Sequence, residues 1–101
     1  MRLTFVQYRV KPGRAAENEA AIRAVFEQLA RDAPSGVRYA SLKLNDGVTF
    51  IHLASVETSD GANPLTGLAA FQAFVAGVKD RCEVPPSVQE LNPVGAYHLF
   101  E

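Results

Sequence analysis

Four side chains in this sequence have the types and placement for proton or ligand chemistry: Tyr8, Asn18, Tyr39 and His52. His52 falls mid-strand, with Phe50, Ala54 and Val56 on its own face by alternation. Apolar surroundings favour the neutral ring, which can accept and donate a proton near neutral pH. The competing reading is a hydrogen-bonded core or interface histidine, since no neighbour makes a triad or metal spacing with it. Tyr8 and Tyr39 place hydroxyls on the first two strands, where each can orient a polar ligand group or pair with His52. A buried tyrosine can equally put its ring in the core and its hydroxyl on a carbonyl or water. Asn18 lies one turn before Ile22 on the inward stripe of a helix, so its amide faces a pocket or makes a helix-start hydrogen bond. All four are candidate ligand-binding residues. No residue is assigned as catalytic, and His52 is the best candidate.

The other reactive groups point less far. His98 alternates with Ala96 and Phe100 near the C-terminus. Two histidines with no nearby cysteine or carboxylate pattern give no zinc spacing, so no metal is expected. Cys82 sits on an apolar stripe at the end of its helix, where the dipole raises a thiol pKa, and reads as core. Phe26, Phe71 and Phe74 recur at helical spacing and read as core first, as an aromatic pocket second. There is no Gly-rich phosphate loop, nucleophile elbow or dinucleotide fingerprint, and no cofactor is expected.

The elements that carry these residues follow from the hydrophobic rhythm. Leu3–Val10 is rich in β-formers and predicts a strand with Thr4, Val6, Tyr8 and Val10 on its more apolar face. Pro12-Gly13 then turns the chain. From Ala15 to about Arg31 the period changes to that of a helix, with Ile22, Val25, Phe26 and Leu29 at i, i+3, i+4 and i+7. Pro34-Ser35-Gly36 ends it. Val37–Leu44 and Val48–Val56 predict two strands joined by Asn45-Asp46-Gly47, a hairpin signal because these residues accept positive φ. Glu57–Ala62 is a polar loop. Asn63-Pro64 opens a second helix with Leu68, Phe71, Val75, Val78 and Cys82 at three- and four-residue spacing, and Pro85-Pro86 prevents its continuation. Ser87–Phe100 reads as a final extended region, interrupted near Pro93 and Gly95.

That order, βαββαβ, predicts an α+β, ferredoxin-like fold: a four-stranded antiparallel sheet with two helices on one face, in one domain spanning 1–101. The other face, read as including Phe5, Val37, Tyr39, Phe50 and Ala54, is too apolar for a solvated surface. A second copy of the same sheet is the expected cover, since homo-oligomers usually close by two-fold symmetry.

Composition narrows the function classes. The 101 residues are 48% hydrophobic, enough for one core, and ten basic against eleven acidic residues leave a net charge of −1. No basic stripe of the kind that neutralises phosphates is present, so no nucleic-acid partner is expected. No apolar segment is long enough to span a bilayer, Gln7 and Arg9 interrupt any signal-peptide core, and the single cysteine suits a reducing compartment. A cytoplasmic protein without a membrane partner is the expectation.

The chain resembles the dimeric α/β-barrel superfamily, and within it the antibiotic biosynthesis monooxygenase-like proteins. The likeness spans nearly the whole chain. Its carriers are Tyr8-Arg9-Val10-Lys11-Pro12-Gly13 before an Ala/Glu-rich helix, the Asp46-Gly47 hairpin, and Phe50-Ile51-His52-Leu53-Ala54. Asn63-Pro64-Leu65 with Phe71 and Phe74, and the closing Val94-Gly95-Ala96-Tyr97, complete them. The resemblance implies a homodimer whose two sheets form a shared barrel, with a pocket between sheet and helices in each subunit. Some relatives oxidise polyketide anthrones there without a cofactor, some degrade haem, and many have no assigned activity. Catalytic members typically use Asn and Trp, and this chain has no Trp. Val6 stands where haem-degrading relatives carry an Asn, and Val56-Glu57-Thr58 replaces a frequent Trp-Glu-Ser.

Three functions remain open on the sequence. The first is a homodimeric protein that binds a small hydrophobic or aromatic molecule. The second is a cofactor-independent monooxygenase acting on a phenolic or polyketide-like substrate, and the third is a structural interaction module.

Overall fold

The computed structural model describes residues 2–99. The elements run β1 (Arg2–Val10), α1 (Ala15–Asp32), β2 (Val37–Lys43), β3 (Thr49–Val56), a 3-10 turn (Pro64–Gly67), α2 (Ala69–Arg81) and β4 (Cys82–Leu91). The strands form one antiparallel sheet in the order β2-β3-β1-β4. Tyr8 and Val10 of β1 and Phe50 of β3 share one buried cluster with Ile22 and Val25 of α1 and Phe74 and Val78 of α2. Both helices therefore cover the same face of the sheet, which is the βαββαβ ferredoxin-like arrangement expected.

Local chemistry explains the joints. Pro34 disfavours a helical conformation at the residue before it, and Ala33 leaves α1 in the left-handed region with its N–H on the Leu29 carbonyl. In the β2–β3 hairpin, Gly47 takes φ +78°. The Asp46 carboxylate accepts from the Val48 and Thr49 amides and from the Thr49 hydroxyl, at 2.9, 2.8 and 2.6 Å. Those bonds hold its pKa below the ordinary carboxylate value, the Thr49 hydroxyl contributing most.

The register corrects the assignment of faces. Tyr8 stands opposite Phe50, Val6 opposite His52 and Thr4 opposite Ala54, while Tyr39 stands opposite Ala54 and Val37 opposite Val56. Directly paired residues share a face, so Val37, Tyr39, Phe50 and Ala54 point toward the helices. Of the residues placed on the outer face, only Phe5 belongs there. It is joined instead by Ile51 and Leu53 of β3 and by Ala40 and Leu42 of β2, so the outer face is still apolar. A one-residue error in parity moves every side chain of a strand to the other face.

The second helix is shorter than its pattern suggests. Asn63 caps with its side chain and Pro64 follows, but they open a 3-10 turn; Leu68 is extended, and α2 starts only at Ala69. At the other end the helix stops at Arg81, and Cys82 already begins β4. The i+4 step from Val78 to Cys82 continues the apolar stripe past the point where the backbone leaves it. Pro85 and Pro86 lie inside β4. They are tolerated because β4 is an edge strand, and its register against β1 is irregular between Gln7 and Val10. The final extended region is likewise corrected: β4 ends at Leu91, and residues 92–99 form no strand. Phe100 lies outside the described residues.

Candidate ligand-binding site

The pairing of β1 with β3 brings Tyr8 and His52 to neighbouring positions on the helix-covered face, and the β2–β3 hairpin adds Tyr39 and Ser41. The His52 ring is held on both nitrogens. Tyr8 Oη lies 2.7 Å from Nε2, while Tyr39 Oη and Ser41 Oγ lie 2.6 and 2.8 Å from Nδ1. Behind Tyr8, the Asn18 amide nitrogen donates to Oη at 2.8 Å, and Arg81 Nε donates to the Asn18 carbonyl oxygen at 3.0 Å. Tyr8, Asn18, His52 and Arg81 are all buried. One continuous polar thread thus runs from α2 through α1 and β1 to β3 and β2.

Aromatic rings enclose it. Tyr8 stacks on Phe50 and on His52, Phe26 stacks on Tyr39, and the Phe71 ring meets Tyr39 edge-on. The Arg81 guanidinium lies over the Phe74 ring at 5.4 Å, a cation–π contact. A Cβ at Gly77 would sit 2.7 Å from Arg81 Nη1. The missing side chain leaves room for the arginine to fold back along its own helix.

Burial sets the protonation states. It pushes the His52 pKa down to about 4, so the ring is neutral at pH 7. Burial also pushes Tyr39 up to about 12, against a smaller opposing effect of the Ser41 hydrogen bond. Tyr8 is raised as well, chiefly by burial, with the Asn18 hydrogen bond acting against it. Both tyrosines are kept as hydroxyls. Cys82 at the α2–β4 junction is raised by partial burial, which suits packing and not nucleophilic attack.

A cavity of about 310 Å³ opens beside the thread, between the sheet and α2. Its walls are mainly apolar, with Leu65, Phe71, Phe74 and Val75 on the helical side and Val6 and Val88 on the strands. Tyr8, Tyr39 and His52 belong to its wall, as does the exposed Lys79. Asn18 does not line it: its amide is spent between Tyr8 and Arg81. Three of the four candidate residues thus meet at the cavity, and the fourth supports them from behind. His98 packs against the Tyr97 ring in the segment after β4.

Arg81 and Ser41 were not among the candidates. Ser41 is two residues beyond Tyr39, hence on the same face, a signal that alternation alone carries. Arg81 lies three residues after Val78 and four after Gly77, on the inward stripe of α2. An arginine in the last turn of a helix otherwise reads as a solvated partner of the dipole. Among the described residues, no group of three or more His, Cys, Asp or Glu converges as metal ligands would.

No family model matches the chain, and no curated protein matches it. Solved structures do. A protein from Nitrosomonas europaea, provisionally described as an antibiotic biosynthesis monooxygenase, superposes with a TM-score of 0.77 at 22% identity, over 94% of this chain and 100% of that one. SnoaB, a cofactor-independent oxygenase from Streptomyces nogalater, gives 0.68 at 18% identity, over 99% and 98%. A Pseudomonas aeruginosa protein gives 0.71 at 18% identity, over 93% and 95%. The chain therefore has the fold of the antibiotic biosynthesis monooxygenase-like proteins.

Proposed function

We propose that this protein binds a small hydrophobic or aromatic molecule in the cavity between its sheet and α2, and that it does so as a homodimer. The observation that carries the reading is the cavity itself, a concave and largely apolar space with a few converging polar groups. Both His52 nitrogens are already engaged by the protein. A ring with a pKa near 4 is also poorly matched to general-base work at pH 7. Binding is favoured over catalysis on those two grounds.

The outer sheet face supports the homodimer. Phe5, Ile51 and Leu53 are only partly covered, and Leu42 is about half exposed. After β4, Val94, Tyr97 and Leu99 are exposed as well. A second sheet packed on this face would cover the apolar strands, and the exposed tail side chains suit contacts to a partner.

Native mass spectrometry of the protein as purified tests both parts together. A dimer carrying a reproducible additional mass is the expected result. A monomer at micromolar concentration overturns the homodimer. A bare protein that also takes up neither naphthalene nor 2-naphthoate overturns the binding site.

The second reading is a cofactor-independent monooxygenase acting on a phenolic substrate. It is favoured by the neutral His52 hydrogen-bonded to two tyrosine hydroxyls at the cavity wall, and by the fold shared with SnoaB. Removal of a proton would leave an electron-rich carbon for oxygen to attack. Oxygen uptake that collapses in His52→Ala decides for it; unchanged uptake removes His52.

A further inference from the structure

The polar thread has a direction, and Arg81 imposes it. A guanidinium carries five donors and no acceptor. The Asn18 atom 3.0 Å from Arg81 Nε is therefore its carbonyl oxygen. That turns the amide nitrogen of Asn18 to Tyr8, whose oxygen accepts from it at 2.8 Å. Tyr8 has one proton of its own, and its remaining partner is His52 Nε2 at 2.7 Å. We infer that Arg81, acting through Asn18 and Tyr8, holds His52 as the neutral tautomer protonated at Nδ1, which leaves Tyr39 to donate to an oxygen of the bound ligand.

The opposite tautomer fails on satisfaction of donors. With the proton on Nε2, the Tyr8 oxygen would accept from both Asn18 and His52. Its own O–H, on a side chain only 2% exposed, would have no acceptor in the thread. A buried donor left unmade is costly, and the Nδ1–H form moves the spare O–H from fully buried Tyr8 to partly buried Tyr39. Arg81 is a positioning residue in this scheme: it touches neither the cavity nor His52. Among the described residues it has no ion-pair partner, so its charge is not cancelled by a carboxylate at contact distance.

On the far side of the ring, Nδ1–H meets Tyr39 Oη at 2.6 Å. The Ser41 hydroxyl lies beside the same nitrogen, at 2.8 Å. With the Nδ1–H donated to its oxygen, Tyr39 directs its own proton away from the ring, and Tyr39 forms part of the cavity wall. The ligand chemistry that matches is a flat apolar body bearing an acceptor oxygen, such as a carboxylate or a phenolate. Lys79 on the same wall adds a positive charge in favour of an anionic oxygen. This last link rests on the cavity being a ligand site; the tautomer does not.

The tautomer is read directly by long-range 1H–15N NMR of the 15N-histidine-labelled full chain at pH 7, with His98→Gln assigning the two rings. The expected spectrum has His52 protonated at Nδ1 and bare at Nε2. A ring protonated at Nε2, or one exchanging between the two forms, overturns the inference. Asn18→Asp sharpens the test, because an ionised carboxylate only accepts. It would keep Arg81 paired, draw the Tyr8 proton to itself, and move the His52 proton to Nε2; an unchanged tautomer in that variant also overturns the inference. If the variant does not fold, the wild-type spectrum alone decides.

The ligand link is tested with two probes of one shape. 2-Naphthoate is expected to bind at least about tenfold more tightly than naphthalene, and Tyr39→Phe to remove most of that preference. Equal binding of the two probes overturns the link. Binding of neither overturns the cavity as a ligand site while the tautomer stands or falls by its own spectrum.

Discussion

The two faces of the sheet are built from the same strands and have opposite contents. The face under the helices carries Tyr8, Tyr39, Ser41 and His52 among Phe26, Phe50 and Phe74, with the His52 and Tyr8 hydrogen bonds closed within the protein. The outer face around Phe5, Ile51, Leu53 and Leu42 has no such thread. Polar groups cost free energy when buried unless they are paired, so their concentration on one side needs a use there. A cavity adjoins them on that side. The outer face offers an apolar area around Phe5, Ile51, Leu53 and Leu42, which suits association between copies.

The largest effect that would break the contrast comes from charge on the outer face. In Phe5→Glu with Leu53→Glu, two carboxylates per subunit would face two more across the proposed contact. Sedimentation should show association weakened at least about a thousandfold, with uptake of 2-naphthoate retained. A dimer that survives both substitutions places the contact elsewhere.

A smaller effect separates the faces by pH. His52 has a folded pKa of about 4 against an ordinary value of 6.5. Between those values the unfolded chain binds the extra proton, so this contribution to stability is complete above about pH 6.5 and is lost as the pH falls toward 4. Urea unfolding should show on the order of 2 to 3 kcal/mol less stability from His52 at pH 4.5 than at pH 7. In His52→Leu the drop over that range should largely vanish, although the variant starts from a lower value at pH 7. An undiminished drop would assign the acid sensitivity to other groups.

The smallest effect tests single hydrogen bonds. Tyr8→Phe leaves the Asn18 amide N–H and His52 Nε2 without their partner, at a cost of about 2 kcal/mol in urea unfolding. Gln7→Ala, one residue away on the exposed side, should change stability by less than about 0.5 kcal/mol. Similar costs for the two would remove the distinction between the faces.

Much of this was legible in the chain. The hairpin at Asp46-Gly47, the change of period after Pro12-Gly13, and the order of elements all follow from local residue preferences. Tyr8, Tyr39, His52 and Asn18 were visible as polar groups inside apolar patterns. Their mutual contacts were not, because Tyr8 and His52 are 44 residues apart and Asn18 and Arg81 are 63 apart. The face to which Phe50 and Tyr39 belong was not legible for a related reason. Alternation says which residues share a face, and only pairing with β1 says which face the helices cover.

By itself the sequence determined the element types, the α1 stripe, the tight hairpin and the βαββαβ order, since these depend on propensity and period within a few residues. Tertiary structure alone decided that α2 would end at Arg81, so that β4 could begin before its two prolines. It also decided that Gly77 would leave room for the Arg81 side chain to turn inward, and that β1 and β2 would both meet the imidazole carried by β3. Such choices depend on packing between distant segments, where a buried donor must find its acceptor across the fold.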